Sequence, residues 1–239
     1  MNIFKLILAA IFPEGYTCEL CGREIFDGSR LCVDCKEKVQ FTDGATCPVC
    51  GRKTNSNVLC LECKKLAPLY DRAVSPLVYK DGVQKLILAF KENKPYLRTW
   101  FAELLQSKCG DFTVVDGICF VPMTKSAERR RGYNQSYLIA KELAKLLKLP
   151  LYKKALVKVK ETPMQKSLTK REREQNLKGC FKADRNIVAG KSLIVVDDVL
   201  TTGATANAIS SELKKRGALK VYFITVASVA YNSEGEQRK

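Results

Sequence analysis

A short apolar segment that ends in two adjacent carboxylates is the most specific chemical signal in the chain. Leu193-Ile-Val-Val is followed by Asp197 and Asp198, and a helical pattern begins a few residues later. The loop that leads from the carboxylates into the helical pattern contains Thr201, Thr202, Gly203, Ala204 and Thr205. Carboxylates accept hydrogen bonds from vicinal ribose hydroxyls, while amides and hydroxyls at a helix N-terminus surround a phosphate. The segment predicts a ribose phosphate site; the alternative is an ordinary strand-to-helix turn capped by Asp and Thr.

A second set of chemically capable residues is a group of cysteines near the start of the chain. Eight of the 11 cysteines form four Cys-x-x-Cys pairs, namely Cys18, Cys21, Cys32, Cys35, Cys47, Cys50, Cys60 and Cys63. Eight thiolates close two tetrahedral zinc sites and leave no open position, so the sites are predicted to be structural. We expect the first four and the last four to form one site each, with a crossed pairing as the alternative. Iron–sulfur ligation is a further alternative.

Positive charge is concentrated in one part of the chain. The net charge is +16, and the stretch from Lys125 to Arg185, with 18 basic and 6 acidic residues, carries +12 of it. This clustering favours a polyanionic partner such as nucleic acid, or a phosphate-rich ligand. The alternative is a solvated surface that serves solubility.

The N-terminal segment and the cysteines indicate the cellular compartment of the protein. Thiolate zinc sites need reduced cysteines, which predicts the cytoplasm. Met1 to Phe12 is apolar but too short for a membrane span, and no small-residue cleavage site precedes Pro13. We therefore predict an amphipathic helix that docks on the body of the protein, without membrane insertion, rather than a targeting segment.

The elements that must position these residues follow from the apolar pattern. Strands are expected at 72–79, 114–121, 193–196 and 221–226, and helices at 82–91, 96–107, 135–149 and 204–216, with Leu146 on the inward face of its helix. Short apolar strands that alternate with helices predict an α/β fold, a twisted parallel sheet covered on both faces. Its ligands are expected beyond the carboxyl ends of the strands. The domains are predicted as 1–66, the cysteine-rich module, and 67–239, the sheet.

The segment from Leu193 to Thr205 closely resembles the fingerprint by which type I phosphoribosyltransferases bind 5-phosphoribosyl-1-diphosphate (PRPP). The resemblance implies the fold of that class for the larger domain. It also implies that Asp197 and Asp198 contact the ribose hydroxyls and that residues 201–205 hold the 5-phosphate. In that class Mg²⁺ bridges the pyrophosphate and the ribose hydroxyls, largely through the ligand.

Two other segments narrow the resemblance to the ComF family. They are Val121-Pro122 with Arg129-Arg130-Arg131-Gly-Tyr133-Asn-Gln-Ser, and Thr162-x-x-Gln165 with the residues through Phe181. Members have an N-terminal double zinc ribbon and are implicated in natural transformation and in handling incoming single-stranded DNA, which implies other DNA-uptake proteins as partners. Three residues depart from the family pattern: Lys158 and Lys160 stand where Arg is usual, and Tyr133 where Phe is usual.

The turn after Val121 and the segment after Lys158 complete the expected site. Pyrophosphate is expected near Pro122, with Arg130 and Arg131 to neutralise it; the alternative is a basic surface loop with Asn134 as a helix cap. The polar segment from Lys160 to Arg173, which contains Gln165, is expected to form a mobile lid, or else an ordinary loop and surface helix.

Two functions are consistent with these residues. The first is a PRPP-binding protein that handles single-stranded DNA through Arg129, Arg130, Arg131 and the ring of Tyr133. The second is a salvage or biosynthetic phosphoribosyltransferase that transfers ribose 5-phosphate to an unidentified base or amine. Leaving-group departure there needs little beyond Mg²⁺ and Lys or Arg charge, so no catalytic side chain is assigned. We favour the first function, because the basic stretch is interleaved with Tyr133, Tyr137 and Tyr152, and no segment resembles a base-recognition hood.

Overall fold

The structure, a computed structural model, describes residues 16–161 and 176–230 of the chain. The expected N-terminal helix over Met1 to Phe12 and most of the expected lid, with Gln165, lie outside these residues. The strands are β1 (Arg72–Val74), β2 (Leu77–Val78), β3 (Gly117–Phe120), β4 (Leu156–Lys158), β5 (Phe181–Ala183), β6 (Ser192–Leu200) and β7 (Lys220–Ser228). The α-helices are α1 (Val33–Lys36), α2 (Leu61–Leu66), α3 (Asp81–Glu92), α4 (Arg98–Gln106), α5 (Lys125–Arg131), α6 (Gln135–Leu147), α7 (Arg185–Val188) and α8 (Ala204–Lys215).

A five-stranded parallel sheet forms the centre of the molecule. Its order is β1-β7-β6-β3, and β2 pairs with the distal part of β7. The longest pairing joins β6 and β7, from Ser192 opposite Lys220 to Leu200 opposite Ser228. Both strands are almost wholly buried, as apolar strands of a doubly covered parallel sheet are. The predicted α/β fold with a parallel sheet is confirmed.

The two faces of the sheet are covered by different helices, because successive side chains of a strand point to opposite faces. Ile194 and Val196 of β6 belong to one apolar cluster with buried residues of α3, α4 and α6. Leu193 and Val195 belong to a second cluster with Ile209 and other residues of α8. No helix within the described ranges is long and apolar enough to cross a bilayer.

Two local expectations were wrong, the strand over 72–79 and the inward Leu146. The strand predicted over 72–79 is interrupted at Pro76, which has no N–H to donate to a β-ladder. The alternative for the basic segment after Pro122 was a surface loop with Asn134 as a helix cap. The segment is instead the helix α5, which begins at the Thr124 cap and ends at Gly132 in the left-handed conformation, whereas Asn134 does cap α6. Leu146 of α6 is exposed, because the buried stripe of this helix continues through Ala140 and Ala144 instead.

The hairpin of β4 and β5 was not predicted from the sequence. The two strands are antiparallel, with Lys158 opposite Phe181, and they form a sheet of their own. Each strand has three residues, which is too short for a period-two pattern to be recognised. This hairpin places Lys158 beside the carboxyl edge of the main sheet.

Both halves of the cysteine-rich module pack against the sheet domain. Cys18, Cys32 and Cys35 belong to the same apolar cluster as α3 and α4, and Cys47, Cys50 and Cys63 to the cluster of α8. At the first half, buried Glu19 accepts hydrogen bonds from Lys94 Nζ at 3.4 Å and from the Tyr96 hydroxyl at 3.0 Å. The module therefore shares its core with the sheet domain, and the boundary at residue 66 stays a prediction.

Candidate functional site

The eight paired cysteines form two separate tetrads. Within each tetrad the Sγ atoms all lie within 4.8 Å of one another, and the tetrads are Cys18, Cys21, Cys32, Cys35 and Cys47, Cys50, Cys60, Cys63. A tetrahedral site with Zn–S bonds of about 2.3 Å has S–S edges of about 3.8 Å. The Sγ atoms of Cys21 and Cys32 are 3.8 Å apart, and those of Cys50 and Cys60 are 3.6 Å apart. The geometry fits two closed zinc sites with the sequential pairing.

Main-chain amides support one thiolate of the first tetrad, that of Cys18. Burial opposes ionisation of Cys18, but hydrogen bonds from the amides of Cys32, Cys21 and Leu20 outweigh it and lower the pKa of Cys18 to about 6. The turn that presents the amides of Leu20 and Cys21 ends at Gly22, whose φ is +75°. A thiolate at neutral pH is the form that binds zinc.

The loop from Thr201 to Thr205 joins the end of β6 to the start of α8. Gly203 precedes the helix with φ of +85°, a conformation that costs glycine nothing. The amide of Ala204 donates to Thr202 Oγ1 at 3.3 Å, and the amide of Asn207 donates to the Gly203 carbonyl at 2.8 Å. The first turn of α8 thus has the orientation needed to present N–H groups and a helix dipole to an anion.

The two carboxylates at the end of β6 are held by the start of α6. Asp197 Oδ1 accepts hydrogen bonds from Ser136 Oγ at 3.0 Å and from the Asp198 amide at 2.9 Å. Asp198 Oδ2 accepts a hydrogen bond from Gln135 Nε2 at 3.0 Å and forms an ion pair with Lys91 Nζ at 2.7 Å. Each carboxylate therefore has its own set of donors.

Because of these contacts, the two carboxylates differ in their electrostatic environment. Burial, with the charge of Asp198 in addition, raises the pKa of Asp197 to about 7. Burial alone would lower the pKa of Lys91, but the ion pair with Asp198 outweighs it and the pKa is raised. At neutral pH Lys91 therefore keeps its charge, whereas Asp197 is poised to gain or lose a proton.

A cavity of about 220 Å³ lies at the carboxyl edge of the sheet beside Asp197. The structure brings four of the predicted site residues to its walls from separate segments: Pro122, Arg130, Asp197 and Thr205. Lys158 of the β4–β5 hairpin also lines it, and burial lowers the pKa of this lysine although Glu161 and Asp197 oppose the shift. The other predicted residues within the described ranges do not line it, namely Asp198, Arg131, Lys160, Thr201, Thr202, Gly203 and Ala204.

The predicted DNA-binding residues lie on and beside α5. Arg129, Arg130 and Arg131 are exposed at the C-terminal turn of this helix. Arg131 donates a hydrogen bond to Gln135 Oε1 at 2.9 Å, which connects it to Asp198 through the Gln135 amide. Tyr133 is only partly exposed: its hydroxyl donates to the Phe90 carbonyl, and its ring contacts the Phe90 ring.

The second zinc ribbon directly contacts the loop from Thr201 to Thr205, which is predicted to bind a phosphate. The guanidinium of Arg52 donates a hydrogen bond to the Thr201 carbonyl and lies 3.9 Å from Cys50 Sγ. The Leu69 amide donates to Asn207 Oδ1 in the first turn of α8 at 3.0 Å. The Arg52 contact thus joins the second zinc ribbon to the loop at the end of β6, and Leu69, which follows the ribbon in the chain, contacts the start of α8.

Several residues of this site were missed by sequence reasoning. Lys91 lies at the end of α3, where a lysine is typical of any exposed helix terminus, so its pairing with Asp198 had no sequence signal. Arg52 was likewise indistinguishable from surface charge. Gln135 and Ser136, in contrast, follow Tyr133 within the segment that carries the family resemblance, and that segment could have indicated them.

Family models match two separate parts of the chain. A double zinc ribbon domain matches residues 7–64, and a phosphoribosyl transferase domain matches residues 134–239. The molecule is thus a phosphoribosyltransferase-type α/β domain preceded by a double zinc ribbon, and the type I fold expected from the sequence is confirmed.

Relatives over most of the chain narrow this class to one family. Competence protein F of Haemophilus influenzae is 32% identical over 171 residues, which cover 68% of this chain and 75% of that protein. DNA utilization protein YhgH of Escherichia coli is 30% identical over 211 residues, with coverage of 85% and 86%. Competence protein ComFC of Bacillus subtilis is 25% identical over 235 residues, with coverage of 90% and 92%. The chain belongs to the ComF family.

Proposed function

We propose that this protein binds PRPP with Mg²⁺ at the end of β6 and handles single-stranded DNA in the cytoplasm during natural transformation or DNA utilization. The observation that carries the PRPP assignment is the shared cavity: Asp197, Thr205, Pro122 and Arg130 line one space although they come from four segments. Carboxylates for ribose hydroxyls, a helix start for the 5-phosphate and a cation for pyrophosphate are the groups that PRPP requires.

The roles within the site follow from the contacts. Asp197 faces the cavity and is the candidate acceptor for a ribose hydroxyl, while residues 201–205 and the start of α8 receive the 5-phosphate. Asp198, with Lys91 and Gln135, is the candidate second acceptor. Arg130 and Lys158 line the cavity and can neutralise pyrophosphate there. Arg131, which bonds Gln135, and Lys160 are further candidates that do not line it. Mg²⁺ would supply charge neutralisation of the pyrophosphate.

Calorimetric titration with PRPP and Mg²⁺ tests this assignment. The double variant Asp197→Asn, Asp198→Asn keeps the shape of the site but removes charged acceptors, each worth about 1.5 to 3 kcal/mol in a charged hydrogen bond. PRPP affinity should fall accordingly. The matched control is Asp43→Asn, Glu103→Gln, two exposed carboxylates remote from the cavity. Equal PRPP affinity for the wild type and the double variant would refute the ribose assignment.

The DNA-handling part rests on charge and on the names of the relatives. The competence and DNA utilization proteins reported above are similar over most of the chain. Arg129, Arg130 and Arg131 form an exposed cationic turn next to the PRPP cavity, and Arg130 also lines that cavity. PRPP and single-stranded DNA should therefore compete in part, which a titration of one in the presence of the other measures. Other DNA-uptake proteins remain candidate partners.

The second candidate function is transfer of ribose 5-phosphate to a base or amine. The observation that favours it is Lys158, a partly buried cation on the wall of the cavity. A cation in a poorly hydrated site assists departure of pyrophosphate from the ribose. Release of pyrophosphate in the presence of candidate bases or amines, but not in their absence, would establish turnover, and loss of that release in Lys158→Met would assign this lysine.

A further inference from the structure

A second and larger cavity lies between the second zinc ribbon and the carboxyl ends of two strands. Its volume is about 470 Å³. Arg52, Lys53 and Lys64 line it from the ribbon, and Val78, Tyr79 and Lys80 line it from the end of β2. The carboxyl ends of parallel strands are where α/β domains bind ligands. No residue of the smaller cavity beside Asp197 belongs to this one.

The walls of this cavity are cationic. Four cations line it, Arg52, Lys53, Lys64 and Lys80, and no carboxylate is among the lining residues. Lys80 has an ion pair with Asp81 at 3.7 Å, and Arg52 donates to the Thr201 carbonyl. Within residues 16–161 and 176–230, Lys53 and Lys64 have no carboxylate at ion-pair distance. Two ammonium groups without acidic partners at one opening favour an anionic ligand.

The same cavity also offers apolar and planar surface. Val58 and Leu59 line it, and they are 53% and 39% exposed although both are large aliphatic side chains. Tyr79 adds an aromatic ring, and Asn55 and Ser56 add amide and hydroxyl groups that can bond the edge of a heterocycle. The volume lies within the range of about 300 to 1,000 Å³ of small-molecule sites. An anion with a flat, partly apolar body satisfies all of these walls.

We infer that this cavity binds one nucleotide, with its base against Tyr79, Val58 and Leu59 and its phosphate between Lys53 and Lys64. The nucleotide is either free or a unit of a single strand. Binding of a nucleotide that is a unit of a single strand extends the proposed DNA handling and rests on that proposal. Binding of a free nucleotide is independent of it. Arg52 lines the cavity and also donates a hydrogen bond to the loop at the end of β6. The proposed nucleotide site and the proposed PRPP site therefore share this side chain.

Fluorescence anisotropy with the zinc-loaded, full-length protein tests the phosphate contacts. The probes are a labelled twenty-residue oligothymidylate and, as competitor, thymidine 5′-monophosphate. In Lys53→Gln, Lys64→Gln the salt dependence of oligonucleotide affinity should weaken by about 0.7, the value for the one phosphate held between these two lysines. If the affinities of the wild type and the variant converge at 1 M salt, this slope predicts roughly fivefold weaker binding of the variant at 0.1 M. The matched control is Lys36→Gln, Lys65→Gln, which removes equal charge from the same module outside the cavity.

The base contact has its own pair of variants. Tyr79→Leu removes the ring and should weaken oligonucleotide binding at least about fivefold, the lower bound for one stacked base, whereas Tyr79→Phe should retain it. Zinc content and melting temperature, measured for every variant, show whether the ribbon is intact. Loss of competition by thymidine 5′-monophosphate in the double lysine variant supports a free nucleotide. If thymidine 5′-monophosphate does not compete in the wild type, but the double lysine variant binds the oligonucleotide more weakly, the ligand is a nucleotide unit of a single strand.

The outcomes that overturn the inference are distinct from those that overturn the proposed function. If the folded lysine double variant and Tyr79→Leu bind both probes as the wild type does, the cavity is not a nucleotide site, and the DNA assignment to α5 stands. If the wild type binds neither probe, both the cavity and the DNA-handling proposal fall. The PRPP titration with the Asp197 and Asp198 variants is independent of either result.

Discussion

The guanidinium of Arg52, in the second zinc ribbon, donates a hydrogen bond to the main-chain carbonyl of Thr201 in the loop between β6 and α8. Arg52 is 2% exposed and also lies beside Cys50 Sγ. A single buried side chain therefore links a predicted zinc ligand to the predicted phosphate loop. A change that disorders the second zinc ribbon should therefore also disorder the loop between β6 and α8, and the reverse.

Arg52→Lys should weaken PRPP binding while the protein still holds two zinc ions per chain. Lysine keeps the charge but loses the planar fork that reaches the Thr201 carbonyl, and a hydrogen bond from a charged donor is worth about 1.5 to 3 kcal/mol. Calorimetry gives the affinity and elemental analysis the metal content. The control is Arg23→Lys, an exposed arginine paired with Asp34 in the first ribbon. Unchanged PRPP affinity in Arg52→Lys would show that the contact does not order the loop.

Gly51→Ala should destabilise the protein far more than Gly22→Ala. Both glycines follow a cysteine pair with positive φ, +64° for Gly51 and +75° for Gly22, so each alanine incurs about 1 to 2 kcal/mol of left-handed strain. A Cβ at Gly51 would also lie 2.4 Å from the Ala73 carbonyl oxygen of β1, whereas one at Gly22 has no atom within 4 Å. Chemical denaturation measures both free energies of unfolding. Equal losses would mean that the second ribbon does not dock on β1 in this way.

Asp197 should make the wild type lose stability as the pH rises from about 4 to about 7. Its pKa in the folded protein is raised to about 7, against about 3.9 when unfolded, so in this window the folded state holds a proton that the unfolded state has released. The slope is at most about 1.4 kcal/mol per pH unit. The raised pKa of Lys91 acts only at much higher pH.

Melting temperatures of the wild type and Asp197→Asn across this range measure the effect. Asparagine cannot ionise, so the variant should gain stability relative to the wild type as the pH increases. Asp43→Asn, at an exposed position, controls for the loss of one carboxylate. A difference in melting temperature that is constant with pH would argue against a raised pKa at Asp197.

Replacing Arg129, Arg130 and Arg131 together by Ala should flatten the salt dependence of single-stranded DNA binding. Three lost phosphate contacts reduce the slope by about 2, at about 0.7 each. The control variant removes three exposed lysines from other faces, Lys38→Ala, Lys85→Ala, Lys215→Ala. A slope identical in the wild type and the arginine variant would remove α5 as a DNA-binding element and would favour the transferase function instead.

The long, strongly patterned elements could be predicted from the sequence, and the contacts between distant side chains could not. Strand β6 and helix α8 follow from an apolar run and a capped periodic pattern, and the cysteine tetrads follow from spacing. The pairs Lys91–Asp198 and Arg52–Thr201 depend on how layers pack, for which single lysines and arginines carry no local signal. The helix α5 was missed because its charged residues have no apolar stripe: none of its side chains is buried.

Strand β7 lies between β6 on one side and β1 and β2 on the other, yet it follows all of them along the chain. During synthesis the ribosome therefore delivers two separate parts of the sheet, each with an open edge, before the strand that joins them. Until Lys220–Ser228 has emerged, the inner edges of β6 and β1 have no partner, which is the state in which unpaired strands recruit other chains. Nascent chains of this protein should thus depend on chaperones until β7 is available.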